Sequence, residues 1–268
     1  MISCIITTRN EAKILPDLLV SLNKQTYTDF EVVLVDNNST DVTNKIAKKF
    51  GARVFNKGPE RSVQRNFGAA KAKGEYILIL DADMVLESEV LSQLAGLSKN
   101  NDISAAVIPE KSFGEGYWAR CKAYEREFYV GEESIEAARF FDKKIFNKFN
   151  GYDTSLTGPE DYELPLRMRK AGIKIGRIKG FILHNEKKFS PLKSAKKKFY
   201  YTSNARAYLK KHPEMTFSQG NLLFRPVFFR KWKKLVSQPI LAVGMFLMRI
   251  IEATGALLGF MAGFFRQG

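Results

Sequence analysis

The chain has 268 residues, 45% of them hydrophobic, and a formal net charge of +15. That suffices for one large domain, or a domain with an appendage, around a sizeable core. Its two cysteines, Cys4 and Cys121, lie too far apart for metal-ligand spacing and give no disulfide framework, which fits a reducing compartment.

The N-terminal ISCIITT is compact and β-branched and reads as a buried strand over residues 2–8. It lacks a basic lead and a cleavage site, so no signal peptide is expected. Leu15, Leu18, Leu19 and Leu22 recur at helical spacing and predict a helix over 11–24, with Pro16 within its first turns. EVVLVD at 31–36 is a second buried strand. NNSTD at 37–41 is a turn, and Ser39 or Thr40 is the expected cap of the next helix. Residues 52–55 form a short strand and 60–72 a helix, which Gly74 breaks before a strand over 76–80. Further on, strands are expected near 104–108 and 137–141, and helices near 116–128 and 160–171. Gly172 serves as a C-cap, and 173–183 is strand-like. Strands alternating with helices through short loops give an α/β fold with a mostly parallel central sheet.

In such sheets ligands sit at the carboxyl ends of the strands. Asp36 and Asp81 both stand at such ends, as does the polar run Thr8-Arg9-Asn10-Glu11. YILILDADM at 76–84 runs a buried strand straight into Asp81 and Asp83, two like charges that are costly to desolvate together. A divalent cation resolves the repulsion. Mg2+ or Mn2+ takes few carboxylates and completes its shell with water and phosphate oxygens.

Four ordered stretches, TTRNE at 7–11, VDNNSTD at 35–41, QRNFGAAKAKGEYILILDADM at 64–84 and GPEDYELPLRMRKAG at 158–172, resemble the inverting glycosyltransferases of family 2. The likeness covers roughly residues 1–185 and implies the GT-A fold, with a Rossmann-like nucleotide-binding half, and transfer of a sugar from a nucleotide-diphosphate donor with Mn2+ or Mg2+. It implies that Thr7 and Glu11 line the nucleoside pocket and that Asp36 accepts a hydrogen bond from the base. A carboxylate is acceptor-only and suits an N–H of uracil or guanine. Asn37 stands where many members carry a second Asp. Arg61 falls near the base or diphosphate, and Arg65 and Asn66 match the helix motif before the metal strand. A surface arginine and a turn-fixing asparagine are the plain structural readings of those last two. The motif over Asp81, Ala82 and Asp83 is that of the metal-diphosphate site. There Asp83 is the direct ligand and Asp81 touches ribose or a metal-bound water. Asp161 matches the catalytic base, and His184, after the last strand, completes the metal shell. The other histidine, His212, reads as solvated. Trp118, Tyr124 and Phe128 make an aromatic stripe read as core in preference to a sugar platform.

The positive charge is concentrated. Residues 187–234 hold fourteen Lys/Arg against one Glu, which calls for an anionic partner. From Pro239 to Phe265 the chain is apolar except for Arg249 and Glu252, which stand three apart and could pair on one helix face. Gly255, Gly259 and Gly263 recur every four residues, a stripe that lets helices approach closely. The segment is long enough to cross a ~30 Å hydrocarbon core at a tilt, whether it spans or lies at the surface. FFRKWKK precedes it with interfacial aromatic and basic residues. The expected organisation is a catalytic domain over 1–221 and a membrane-associated segment over 222–268. The expected acceptor is lipid-linked, or a glycan, at the cytoplasmic face of the cell membrane, with no nucleic acid as partner. Two rivals remain at this stage: a metal-dependent nucleotidyltransferase, although TTRNEAKIL has no glycine for a phosphate loop, and a non-enzymatic protein binding anionic membranes or nucleic acid.

Overall fold

The structure, a computed structural model, describes residues 1–99, 102–133, 135–156, 158, 160–204 and 225–265. His212 and the 221/222 division drawn from the sequence lie outside the described residues. The chain forms two compact units. One comprises Met1–Glu110, Glu136–Thr154 and Glu160–His184, and the other Lys111–Ile135, Ser155–Pro159 and Asn185–Gly268.

The first unit carries strands β1 (Ile2–Thr8), β2 (Phe30–Asp36), β3 (Arg53–Asn56), β4 (Tyr76–Asp81), β5 (Met84–Leu86), β6 (Ile103–Val107), β8 (Ala138–Asp142), β9 (Lys174–Arg177) and β10 (Ile182–Asn185). Strand β7 (Glu110–Phe113) starts where this unit ends. Its helices are α1 (Leu15–Asn23), α2 (Thr43–Lys49), α3 (Arg61–Lys71), α4 (Val90–Leu97), α6 (Lys143–Lys148) and α7 (Glu160–Lys170). Seven strands form one sheet in the order β3-β2-β1-β4-β8-β6-β9, parallel except where β8 runs against β4 and β6. β1 is buried along its whole length, as a parallel strand covered on both faces must be. Its alternate residues serve opposite cores. Ile2, Cys4 and Ile6 pack with the leucines of α1, and Ile5 packs with Val33, Val35 and Ala69 on the other face.

Two local expectations shift. α1 opens at Leu15, not residue 11, because the amides of Asn10, Glu11 and Ala12 are taken by Ser39, Thr43 and Asp41 side chains across the neighbouring loop. Pro16 then stands in the first turn, where its missing N–H costs nothing. Neither Ser39 nor Thr40 caps α2. Ser39 turns back to Asp36, and Asp41 accepts from the Thr43 amide at 2.9 Å. Gly172 ends α7 as expected, at φ +79°, with its amide on the Arg169 carbonyl.

The second unit is helical: α5 (Tyr117–Tyr129), α8 (Pro191–Ser203), α9 (Pro226–Arg230), α10 (Trp232–Ser237) and α11 (Pro239–Phe265). Tyr124 and Phe128 are buried with Phe228, Met245 and Met248, so the aromatic stripe is core. Arg249 and Glu252 do not pair with each other. Arg249 pairs with Glu125, and Glu252 accepts from Ser194 at 2.5 Å with Lys122 at 3.5 Å. The opposite side of α11 exposes Ile240, Val243, Leu247, Ile250, Leu257, Leu258 and Met261, an apolar stripe at helical spacing. By length and composition this helix could cross a membrane.

Candidate active site

Parallel pairing brings the strand ends level. Thr7 is in register with Val35 and Asp81, and Thr8 with Asp36, so residues distant in sequence meet at one sheet edge. Gln64 of α3 braces this edge from below by donating to the Thr8 and Val35 carbonyls.

Asp36 is 1% exposed. It accepts from Thr8 Oγ1 (2.9 Å), the Ser39 amide (2.7 Å), Ser39 Oγ (2.5 Å) and Asn44 Nδ2 (3.1 Å). These four donors occupy the roughly four acceptor sites of a carboxylate. Asp36 therefore holds the loop over 37–44 in shape, and gripping a base N–H would require one of these bonds to open. Glu11 lies on the facing loop, tied by its amide to Thr43.

Arg65 is the hub. Its guanidinium is fully buried and donates to Asp81 Oδ1 at 2.9 Å and to Asp161, with Glu160 Oε1 at 3.4 Å. Arg61 reaches the same Glu160 oxygen at 3.2 Å. The plain reading of Arg65 as a surface residue fails, because α3 carries it inward beneath the strand ends. Asn66 on the next helix position clasps the backbone of Tyr152 in both directions, at 2.8 and 2.9 Å, which is the turn-fixing reading.

Asp81 also accepts from Thr7 Oγ1 at 3.3 Å, and Arg139 lies 3.6 Å from its other oxygen. Burial pushes its pKa up, but Arg65, Arg139 and Arg61 outweigh that and hold it well below the usual carboxylate range. Glu160 shifts the other way. Its burial and the adjacent Asp161 charge raise it, against the pull of Arg61 and Arg65.

Ala82 is buried in the turn that delivers Asp83. Oδ1 of Asp83 is buried without a hydrogen-bond partner, 3.8 Å from His184 Nδ1. His184 is held from behind. Its Nε2 meets Glu110 Oε2 at 2.9 Å, and the other Glu110 oxygen accepts from Arg139 at 2.5 Å. With a proton on Nε2, the Nδ1 lone pair faces Asp83. An orphaned carboxylate oxygen beside an imidazole nitrogen is a donor set that fits a divalent transition cation. Among the described residues no third such side chain joins them. Asp81 is engaged by arginines.

Sequence reasoning missed Gln64, Glu110, Arg139 and Glu160. Arg139 and Glu110 had one faint signal, a charge within or just after an apolar strand run. Their pairing with each other and with His184 depends on strands remote in sequence.

The fold and the site together define a GT-A-type transferase. Its shape matches that of a mannosyltransferase from Pyrobaculum calidifontis, described in complex with GDP-Man and Mn2+. That match has a TM-score of 0.66 at 17% identity, over 96% of this chain and 86% of the other. It also matches residues 1–349 of Staphylococcus aureus TarS in complex with UDP-GlcNAc, with a TM-score of 0.56 at 18% identity, over 100% and 92%. In sequence, the profile of glycosyl transferase family 2 matches residues 3–157, and the chain belongs to that family. A relative described as a PGL/p-HBAD biosynthesis glycosyltransferase, from Mycobacterium bovis, is 27% identical over 247 residues, 89% of this chain and 93% of its own. As a member of a glycosyltransferase family, the chain is an enzyme and not a non-enzymatic binding protein.

Proposed function

We propose that the protein is an inverting glycosyltransferase that moves a sugar from a UDP- or GDP-sugar to a hydroxyl or phosphate of a lipid-linked acceptor at the cytoplasmic membrane face. The observation that carries the reading is the continuous chain of contacts from Asp161 through Arg65 to Asp81, beside the unsatisfied Asp83 oxygen and His184. The nucleotide-sugar complexes of the two structural neighbours support the donor class.

In this reading Thr7, Glu11 and Asp36 border the nucleoside, and Arg61 lies toward the diphosphate. Asp83 and His184 would hold Mn2+ or Mg2+, which when bound neutralises the departing diphosphate. Asp161 takes the proton from the acceptor hydroxyl as that oxygen attacks opposite the leaving group. Arg65 donates to Asp161 and so aims its carboxylate. The acceptor side rests on the second unit, where Phe229 and Trp232 are exposed next to Lys233 and the apolar stripe of α11 lies open. This is the pattern of a membrane-facing segment with an anionic surface for a partner.

Calorimetric titration of UDP and GDP, each with and without Mn2+, tests this on wild-type protein and Asp83→Ala. One nucleotide should bind in a metal-dependent way, and the variant should lose the metal-dependent part. Failure of folded wild-type protein to bind either nucleotide would overturn the reading.

A further inference from the structure

α8 and α11 pack side by side in parallel. Gly255, Gly259 and Gly263 of α11 lie against Ala195, Phe199 and Ser203 of α8, so both helices advance four residues per contact in the same direction. A side chain on any of these glycines would strike the α8 backbone. The seam is fixed further by Thr202, whose hydroxyl donates to the Ala256 carbonyl at 2.7 Å.

Along one side of this seam runs an open groove of about 530 Å3. That falls within the range of about 300–1,000 Å3 typical of small-molecule sites. One wall is Leu192, Ala195, Lys196 and Phe199, the i, i+3, i+4, i+7 face of α8. The other is the Ile250–Leu258 face of α11. Two of its residues are polar, and neither behaves alike. Thr254 donates its hydroxyl to the Ile250 carbonyl of its own helix at 3.0 Å, so that donor is already used within the helix. Among the described residues Lys196 is the only cation of the lining, and no carboxylate lines the groove with it. Lys193 and Lys197 stand exposed within one turn of it on α8. Leu192 is 69%, Ile250 51% and Leu258 54% exposed, so the mouth of the groove is apolar.

We infer that this groove binds the hydrocarbon chain of a single-chain lipid phosphate, with the phosphate at Lys196. The inference rests on the lipid-linked acceptor proposed above and names the part of the protein that grips it. Charge complementarity selects the occupant. Among the described lining residues, one cation and no anion suit a ligand that is apolar along its length and anionic at one end.

The test uses the full chain in neutral detergent micelles, with radiolabelled farnesyl phosphate as probe and farnesol, inorganic phosphate and phosphatidylglycerol as competitors. Wild-type protein should bind the probe saturably, farnesol should compete partially, and inorganic phosphate should not compete. Thr254→Trp, which fills the groove from an exposed position, should weaken binding by about tenfold or more. Lys196→Gln should weaken farnesyl phosphate about fivefold and leave farnesol unchanged. Unaltered binding by Thr254→Trp would overturn the proposal, as would displacement by phosphatidylglycerol at equal concentration, which would mark a general lipid contact. Nucleotide titration of the same samples keeps the two readings apart. Lost lipid binding with intact nucleotide binding removes the groove alone. Intact lipid binding without nucleotide binding supports the groove and removes the transferase reading.

Discussion

Arg65 shows what burial does to a single charge. A guanidinium sealed from water and shared among three carboxylates is stabilised only as long as all partners stay in place. Arg65→Ala would leave Asp81, Glu160 and Asp161 facing one another, and should cost about 3–5 kcal/mol in a urea-unfolding experiment. Arg65→Lys should recover little of that, because an ammonium cannot fork between carboxylates. Glu110 acts at one remove. It touches neither Asp83 nor any proposed substrate position but sets which nitrogen of His184 faces Asp83. Glu110→Gln should weaken Mn2+ affinity about 10–100-fold in metal titrations of the nucleotide complex, with the fold intact by circular dichroism. A change confined to thermal stability would make Glu110 a purely structural residue. The sequence announced Asp81, Asp83 and Asp161 because their motifs are local. It was silent on Glu110 and Arg139, whose chemistry is defined only by partners on other strands.

At the scale of elements, α11 carries a conflict that α5 resolves. An apolar helix bearing Arg249 and Glu252 would need them to pair with each other, yet Arg249 turns to Glu125 of α5 and Glu252 to Ser194 of α8, with Lys122 of α5 further off. Tyr129 donates to Glu125 at 2.5 Å, Lys122 donates to it at 2.7 Å, and Arg249 pairs with it. Burial raises the Glu125 pKa, but Lys122 and Arg249 dominate and hold it well below its usual value near 4.5. Between these two values the unfolded chain binds more protons than the folded one, so stability rises with pH there. The contribution of Glu125 is therefore complete above its ordinary pKa and drains away on acidification below it. Thermal midpoints of wild-type protein and Glu125→Gln should differ most near pH 6, and the gap should narrow steadily as the pH falls below about 4.5. A gap that stays constant with pH would mean that the ion pair does not titrate as described. The helix pattern of α11 was plain in the sequence, and so was its glycine stripe. That the stripe meets α8 depends on a second helix that no local pattern connects to it.

For the whole molecule, the basic excess and the exposed apolar stripe belong to one unit and the aspartate site to the other. The protein should co-sediment with vesicles containing phosphatidylglycerol more than with neutral ones. The difference should shrink between 0.1 M and 1 M salt, as the screening length falls from about 10 Å to about 3 Å. Equal binding to neutral vesicles would assign the interaction to the apolar stripe alone. The sequence by itself determined the α/β class, the strand ends that carry Asp36 and Asp81, the order of the four motifs and the apolar C-terminal helix. Those features are legible because hydrophobic period and turn chemistry act over a few residues. Only the tertiary structure decided that Thr8 of the neighbouring strand donates to Asp36, that Arg65 lies buried between Asp81 and Asp161, that His184 is oriented through Glu110, and that Arg249 turns to Glu125 instead of Glu252. Each of these is a contact between charges or donors far apart in sequence. Strand register and helix packing bring such groups together, and no local pattern encodes their meeting.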